Sequence, residues 1–171
     1  MLTGFIGDIH GNIDALESSL EALRRHRVER IICTGDIVGY GACPRECIDL
    51  TRQLEIPSVL GNHDQYTTQL GKDWAIRPAA KHAIRWTQAH LERGHLDWLG
   101  ALPRTLDFGT FTVCHASHVW FPAWPYVLGR REVIQHLLSQ PRQLWFNGHC
   151  HAPIRISHRP GRLPAVDTLG N

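Results

Sequence analysis

Short apolar runs alternate with longer amphipathic stretches through the first third of the chain. Leu2 to Gly7 is apolar and closed by glycine, the pattern of a buried strand. Ile13, Leu16, Leu20 and Leu23 then recur at helical spacing, which puts one apolar stripe on a helix with Asn12 as its N-cap. Arg30 to Cys33 reads as a second strand. Pro44 opens a second helix whose apolar face takes Cys47, Leu50 and Leu54, and Ile56 to Leu60 makes a third strand. This alternation predicts a parallel sheet with right-handed crossovers, and in such sheets ligands bind at the C-terminal edge.

The middle of the chain is more helical. Ala80, Ala83, Ile84, Thr87 and Leu91 mark one helix, and His95 to Ala101 a short second one before Pro103. Thr105–Phe108 and Phe111–Cys114 predict strands around a Gly109-Thr110 turn. Arg131 to Ser139 is helical in pattern, Gln143 to Asn147 extended, and Ile154–Ser157 and Leu163–Val166 are the last predicted strands. No repeat, low-complexity tract or linker interrupts the 171 residues, so one domain over residues 1–171 is expected.

Composition narrows the class. With 43% hydrophobic and 20% charged residues the chain is globular and not disordered. A formal net charge of +2 is too mild to indicate nucleic acid as a partner. Five irregularly spaced cysteines do not make a disulfide framework and predict a reducing cytoplasm. Cys43 and Cys47, one helical turn apart, read as ordinary buried or half-buried thiols. No signal-peptide pattern opens the chain, and no run of about 18 apolar residues predicts a membrane span. Twelve histidines stand out, and most of the informative ones cluster.

Five polar clusters follow five apolar runs: Asp8/His10 in "GDIHGN", Asp36, Asn62/His63, His115 and His149/His151. Each alone reads as a capped turn or a loop histidine. Their recurrence at strand ends, with glycines beside four of them, reads as one assembled site. Carboxylates, imidazoles and one amide oxygen suit borderline divalent metals such as Mn, Fe, Co or Zn. Without paired thiolates a structural zinc or iron–sulfur centre is disfavoured, and the imidazoles are too many for a simple calcium or magnesium site. Asp8, His10, Asp36, Asn62, His115, His149 and His151 exceed the needs of one ion and suit two that share a carboxylate. Two metals roughly 3.5–4 Å apart clamp a phosphoryl group and turn a bridging water into hydroxide near neutral pH. His63, beside Asn62, then supplies the proton for the leaving group, with Asp64 orienting its ring.

The five motifs "GDIHGN", "GDIVGYG", "GNHD", "CHAS" and "GHCH" together resemble the calcineurin-like metallophosphoesterases, in that family's order and across residues 7 to 151. The resemblance implies a four-layer α/β/β/α sandwich of two mixed sheets with a dimetal centre on loops at one edge. It implies that Asp8, His10 and His151 hold one metal, that Asn62, His115 and His149 hold the other, and that Asp36 bridges them. His63 would be the general acid. Manganese leads among the implied ions, with Fe, Zn, Co or Ni as alternatives.

"GDIVGYG" followed by Pro44-Arg45-Glu46-Cys47 resembles the small bacterial and archaeal phosphodiesterase branch. Protein phosphatases and diadenosine tetraphosphatases of the family usually carry Arg at the place of Tyr40 and Glu at the place of Asp64. Losing that Arg removes a bidentate donor suited to dianionic monoesters, which points to phosphodiesters. The C-terminus departs from that branch. It lacks the Asn-Pro-Gly-Ser-like turn, and its "VDT" is closer to the tetraphosphatase-like relatives. A missing closing strand in the second sheet is therefore expected.

Tyr40 and His118 are expected to line the substrate cleft, His118 because it follows His115 by three residues. Trp120, Phe121, Trp124 and Tyr126 form either plain core or a stacking platform for an aromatic group. The expected partner is a small phosphate ester or nucleotide, not a membrane. The rival reading is a metal-binding interaction scaffold, and a dinucleoside polyphosphate hydrolase or phosphomonoesterase is the enzymatic alternative.

Overall fold

The computed structural model describes residues 1–118, 123–159 and 161–168. The elements, in chain order, begin with β1 (Thr3–Ile6), α1 (Ile13–Arg25), β2 (Arg30–Cys33) and α2 (Pro44–Gln53). Four further elements are α3 (Asn62–Thr68), α4 (Pro78–His90), α5 (Arg93–Gly100) and β3 (Thr105–Asp107). The chain continues through β4 (Phe111–Cys114), α6 (Arg130–Ser139), β5 (Leu144–Phe146), β6 (Ile154–Ser157) and β7 (Ala165–Thr168).

β1 and β2 pair in parallel from Thr3 opposite Arg30 to Ile6 opposite Cys33, joined by α1 as the apolar stripe predicts. Asn12 caps α1, its side chain accepting from the Ala15 amide at 3.0 Å. Strand alternation sorts the side chains of β2 to two faces. Cys33 and Ile31 turn to the cluster with Leu16, Leu20 and Ile48 beneath α1 and α2. Ile32 turns the other way, onto Val59 and Val113.

That second face meets a mixed sheet of order β3-β4-β5, in which β3 and β4 are antiparallel and β4 and β5 parallel. Phe5 of β1 stacks on Phe146 of β5 at 3.8 Å between ring centroids and meets Phe111 of β4 edge-on at 5.9 Å. Beyond this sheet lies α6, whose buried His136 packs against Trp145. Helix, sheet, sheet and helix therefore stack in four layers, the expected α/β/β/α order.

The details differ in three places. Residues 56–60 run beside β2 but share only one bridge, Cys33 with Ser58, because Pro57 has no amide to extend the ladder. Residues 62–68 form α3, a helix that no apolar stripe announces. The two mixed sheets are resolved, among the described residues, into a parallel pair, a mixed three-stranded sheet and an antiparallel β6–β7 ribbon. All four residues of β7 are exposed, and this last strand starts two residues later than its hydrophobic pattern predicts. Leu169, Gly170 and Asn171 lie outside the described residues. Among the described residues no helix is long and apolar enough to cross a membrane.

Candidate metal centre

Each predicted cluster sits at the C-terminal end of an extended run. Asp8 and His10 follow β1, Asp36 follows β2, and Asn62 and His63 open α3. His115 follows β4, and His149 and His151 follow β5. The first two loops zip together through their backbones: the amides of Asp8, His10 and Gly11 each donate at 2.9 Å to the carbonyls of Gly35, Asp36 and Ile37. Gly61 allows the third loop to close on them, since a Cβ there would overlap the Asp36 carboxylate and backbone nitrogen. Five donor-bearing residues hold left-handed backbone: Asp8 (φ 50°), His10 (51°), Asp36 (53°), His149 (67°) and His151 (51°). That region is costly for side chains with a Cβ, and its concentration here marks a site whose geometry the surrounding fold enforces.

The side chains form three overlapping donor groups, Asp8/His10/His151, His10/Asp36/His63 and Asp36/His115/His149, with the donor atoms of each within 4.8 Å of one another. His151 Nε2 lies 3.1 Å from His10 Nε2 and 3.5 Å from Asp8 Oδ1. His115 Nε2 lies 3.2 Å from Asp36 Oδ2 and 3.0 Å from Asn62 Oδ1, which brings the amide oxygen to the third group. Outer partners aim the rings. His10 and His115 each turn Nδ1 to a carbonyl, Val38 at 3.2 Å and Thr34 at 2.8 Å, and so face the cluster with Nε2. His149 does the reverse, placing Nε2 2.9 Å from the Trp124 carbonyl.

Burial opposes the charge on Asp36, yet His115, His63 and His10 outweigh it and hold the carboxyl well below the usual range. Burial likewise opposes a charge on His115, but Asp36 and then Asp8 raise it to about 9. Desolvation lowers His10 and His149, favouring the neutral imidazole that ligates metal. A carboxylate shared between groups, converging ring nitrogens and an amide oxygen fit divalent cations. The buried thiols do not compete. Cys33, Cys47 and Cys114 are pushed up to about 12 by burial, and no cysteine enters a donor group among the described residues.

His63 stands inside the cluster. Its amide donates to Asp36 Oδ1 at 2.8 Å, while its ring lies 4.8 Å from that of His10 and 4.5 Å from that of Tyr40. Its buried Nδ1 finds no hydrogen-bond partner among the described residues, and burial lowers its pKa to about 4. The expected pairing of Asp64 with this ring is corrected by the structure. The Asp64 carboxylate instead accepts from the amides of Asp36, Ile37, Val38 and Gly61 at 2.9, 2.9, 3.1 and 3.0 Å. Four converging donors saturate it, and it clamps the second and third loops together. Burial and the Asp36 charge raise its pKa, and the amides pull it back.

His118 is likewise misplaced by sequence spacing. Its Nδ1 meets Thr105 Oγ1 at 3.3 Å, and it lines neither cavity at the cluster. Tyr40 lines both and is exposed. Of the aromatic loop, Trp120 and Phe121 lie outside the described residues. Trp124 is buried and donates Nε1–H to Gln65 Oε1 at 3.0 Å, and Tyr126 stacks on His149 at 4.3 Å. Sequence reasoning also passed over Tyr66 and Arg77, which line the cavity next to the cluster. Neither carries a spacing signal.

The pattern of the calcineurin-like phosphoesterase superfamily domain matches residues 1–165. The chain belongs to this superfamily. A metallophosphoesterase from Sphaerobacter thermophilus superposes with a TM-score of 0.76 at 38% identity, over 90% of this chain and 62% of that one. An uncharacterised protein of Methanocaldococcus jannaschii is 33% identical over 164 residues, 92% of this chain and 65% of its own length. The chain thus spans less than two thirds of these two relatives. Serine/threonine-protein phosphatase 1 of Salmonella typhimurium is 25% identical over 189 residues, covering 95% of this chain and 84% of that protein. As a calcineurin-like phosphoesterase, the chain brings its five motifs to the three donor groups.

Proposed function

We propose that the chain hydrolyses phosphodiesters with two divalent ions, manganese foremost. Asp8, His10 and His151 would hold one, Asn62, His115 and His149 the other, and Asp36 would bridge them. Bound there, the ions supply Lewis acidity and an activated water near neutral pH. His63 carries this reading. It stands among the donors with a ring nitrogen that has no hydrogen-bond partner among the described residues, free to move a proton to the leaving oxygen. Burial disfavours its imidazolium, and the negative charge of a phosphate ester beside it restores that form.

The preference for diesters rests on Tyr40. Its ring packs against His10 and His63 and brings no guanidinium to this place, so a dianionic monoester loses its bidentate donor. A monoesterase is the second reading, favoured by the near full-length similarity to the Salmonella phosphatase.

The deciding assay loads the protein with Mn²⁺ and compares a bis-aryl phosphodiester, an aryl monoester and diadenosine tetraphosphate. The diester is expected to turn over at least about tenfold faster. His63→Ala should lower kcat by roughly 10²-fold or more with bound manganese unchanged. A monoester preference supports the second reading, and faster tetraphosphate cleavage a dinucleoside polyphosphatase. Absence of turnover with Mn, Fe, Zn, Co or Ni leaves a binding scaffold.

A further inference from the structure

Two cavities meet at His63. The inner one, about 460 Å³, is lined by Asp36 and His151. The outer one, about 340 Å³, is walled by Tyr66, Ala80 and Trp124. Tyr40, Asn62, His63, Tyr126 and His149 line both and form the passage between them. A general acid stands on the leaving-group side of the reacting phosphorus, and the inner cavity is lined by the Asp36 and His151 donors, so the outer cavity is the space left for the departing alcohol. This much rests on the function proposed above.

Arg77 lines only the outer cavity. Its backbone is fixed in an extended form by Pro78, the first residue of α4, which is anchored through buried Ala80 and Ile84. The neighbouring cations are committed, Lys81 and Arg85 both pairing with Asp73, whereas Arg77 has no carboxylate partner among the described residues. Its charge acts on the Tyr40 hydroxyl, so it brings a guanidinium without a carboxylate partner to this aromatic-walled space. Tyr126 offers a flat wall there, since its ring stacks on His149 and is still more than half exposed.

We infer that Arg77 is a specificity residue for the leaving group: it selects esters whose departing alcohol is a planar ring carrying its own anionic group, a carboxylate or a further phosphate. An uncharged leaving group fills the same space without engaging Arg77. The guanidinium suits planar anions because its donors form a fixed fork.

The test uses the manganese-loaded full chain and two methyl phosphodiesters, of phenol and of 3-hydroxybenzoate. The meta carboxylate adds charge with little change in leaving-group acidity. Wild type should favour the charged ester in kcat/KM. Arg77→Ala should lower that preference by roughly tenfold or more, the worth of one charge-assisted hydrogen bond, and Arg77→Lys should recover part of it. In calorimetry on the metal-free full chain, Arg77→Ala should weaken AMP binding by a similar factor relative to adenosine. If wild type cleaves both esters and Arg77→Ala leaves their ratio and the AMP affinity unmoved, the Arg77 assignment falls and the hydrolase reading stands. If wild type cleaves neither ester, the phosphodiesterase reading fails and takes this one with it.

Discussion

Asp36 and Asn62, which follow the N-terminal strand–helix–strand unit, are buried, whereas His151, beside the exposed C-terminal ribbon, is itself exposed. The first side of the centre is cross-tied by Asp64, which joins the loops after β2 and before α3. The second is tied to the first through His115, whose Nδ1 lies 2.8 Å from the Thr34 carbonyl and whose Nε2 lies 3.0 Å from Asn62 Oδ1. Asp8 also accepts from the His149 amide at 3.0 Å, while the Gly148 amide, donating to the His115 carbonyl at 2.9 Å, joins the two C-terminal loops to each other. The centre is thus preorganised by folding except at His151, the exposed one of its seven donors. Preorganised donors keep their geometry through ion exchange, so the exposed His151 is where affinity for the ion is set.

Three measurements would break or sharpen this contrast. Asp64→Ala has the largest expected effect, because four buried amides lose their acceptor at once. At about 1–3 kcal/mol for each unsatisfied group, urea unfolding should show a loss of about 4 kcal/mol or more. A loss below about 1 kcal/mol would mean that the N-terminal half is not held by this clamp.

Acid should loosen the C-terminal half next. Burial and then the nearby His118 lower His136 to about 4. Between its ordinary value near 6.5 and about 4, the unfolded chain binds a proton that the folded chain refuses. Stability therefore falls as the pH drops through this window, by up to about 3 kcal/mol from this residue. His136→Phe should lack that share, seen as a flatter stability-against-pH curve and as preserved hydrogen-exchange protection in α6 at pH 4.5. Equal curves for variant and wild type would remove His136 from the account.

His151→Ala should have the smallest effect on folding, within about 1 kcal/mol, since the side chain is exposed. Its effect should appear in elemental analysis as about one manganese per chain instead of about two. Two retained ions would show that this exposed donor does not set ion affinity.

Much of this was legible in the residue pattern, for a physical reason. Parallel strands deliver their C-terminal ends to one edge, so Asp8, His10, Asp36, Asn62, His115, His149 and His151 could be placed together from strand ends alone. Periodicity also located α1, α2 and α4, whose buried faces carry apolar stripes. It could not announce α3, because Asn62-His63-Asp64-Gln65-Tyr66-Thr67-Thr68 is polar on every face and becomes helical through the Asp64 cap and packing on α4 and α5. Asp64 itself was misassigned because adjacency to His63 is visible in sequence, whereas its partners at residues 36–38 are long-range. His118 fell to the same limit, its spacing from His115 saying nothing of the turn that carries it to Thr105. Arg77 had no signal at all, being a lone cation before a proline.

The left-handed backbone at Asp8, His10, Asp36, His149 and His151 also bears on how such a centre drifts over generations. Asparagine, aspartate, histidine and glycine tolerate this conformation best, and β-branched residues worst. Mutations that abolish a ligand but keep the loop, such as Asp36→Asn or His151→Asn, are structurally cheap, while Val or Ile at the same place would unseat the turn. Loss of catalysis and loss of fold are therefore separable histories here. A lineage could silence its chemistry one asparagine at a time and still inherit an intact scaffold.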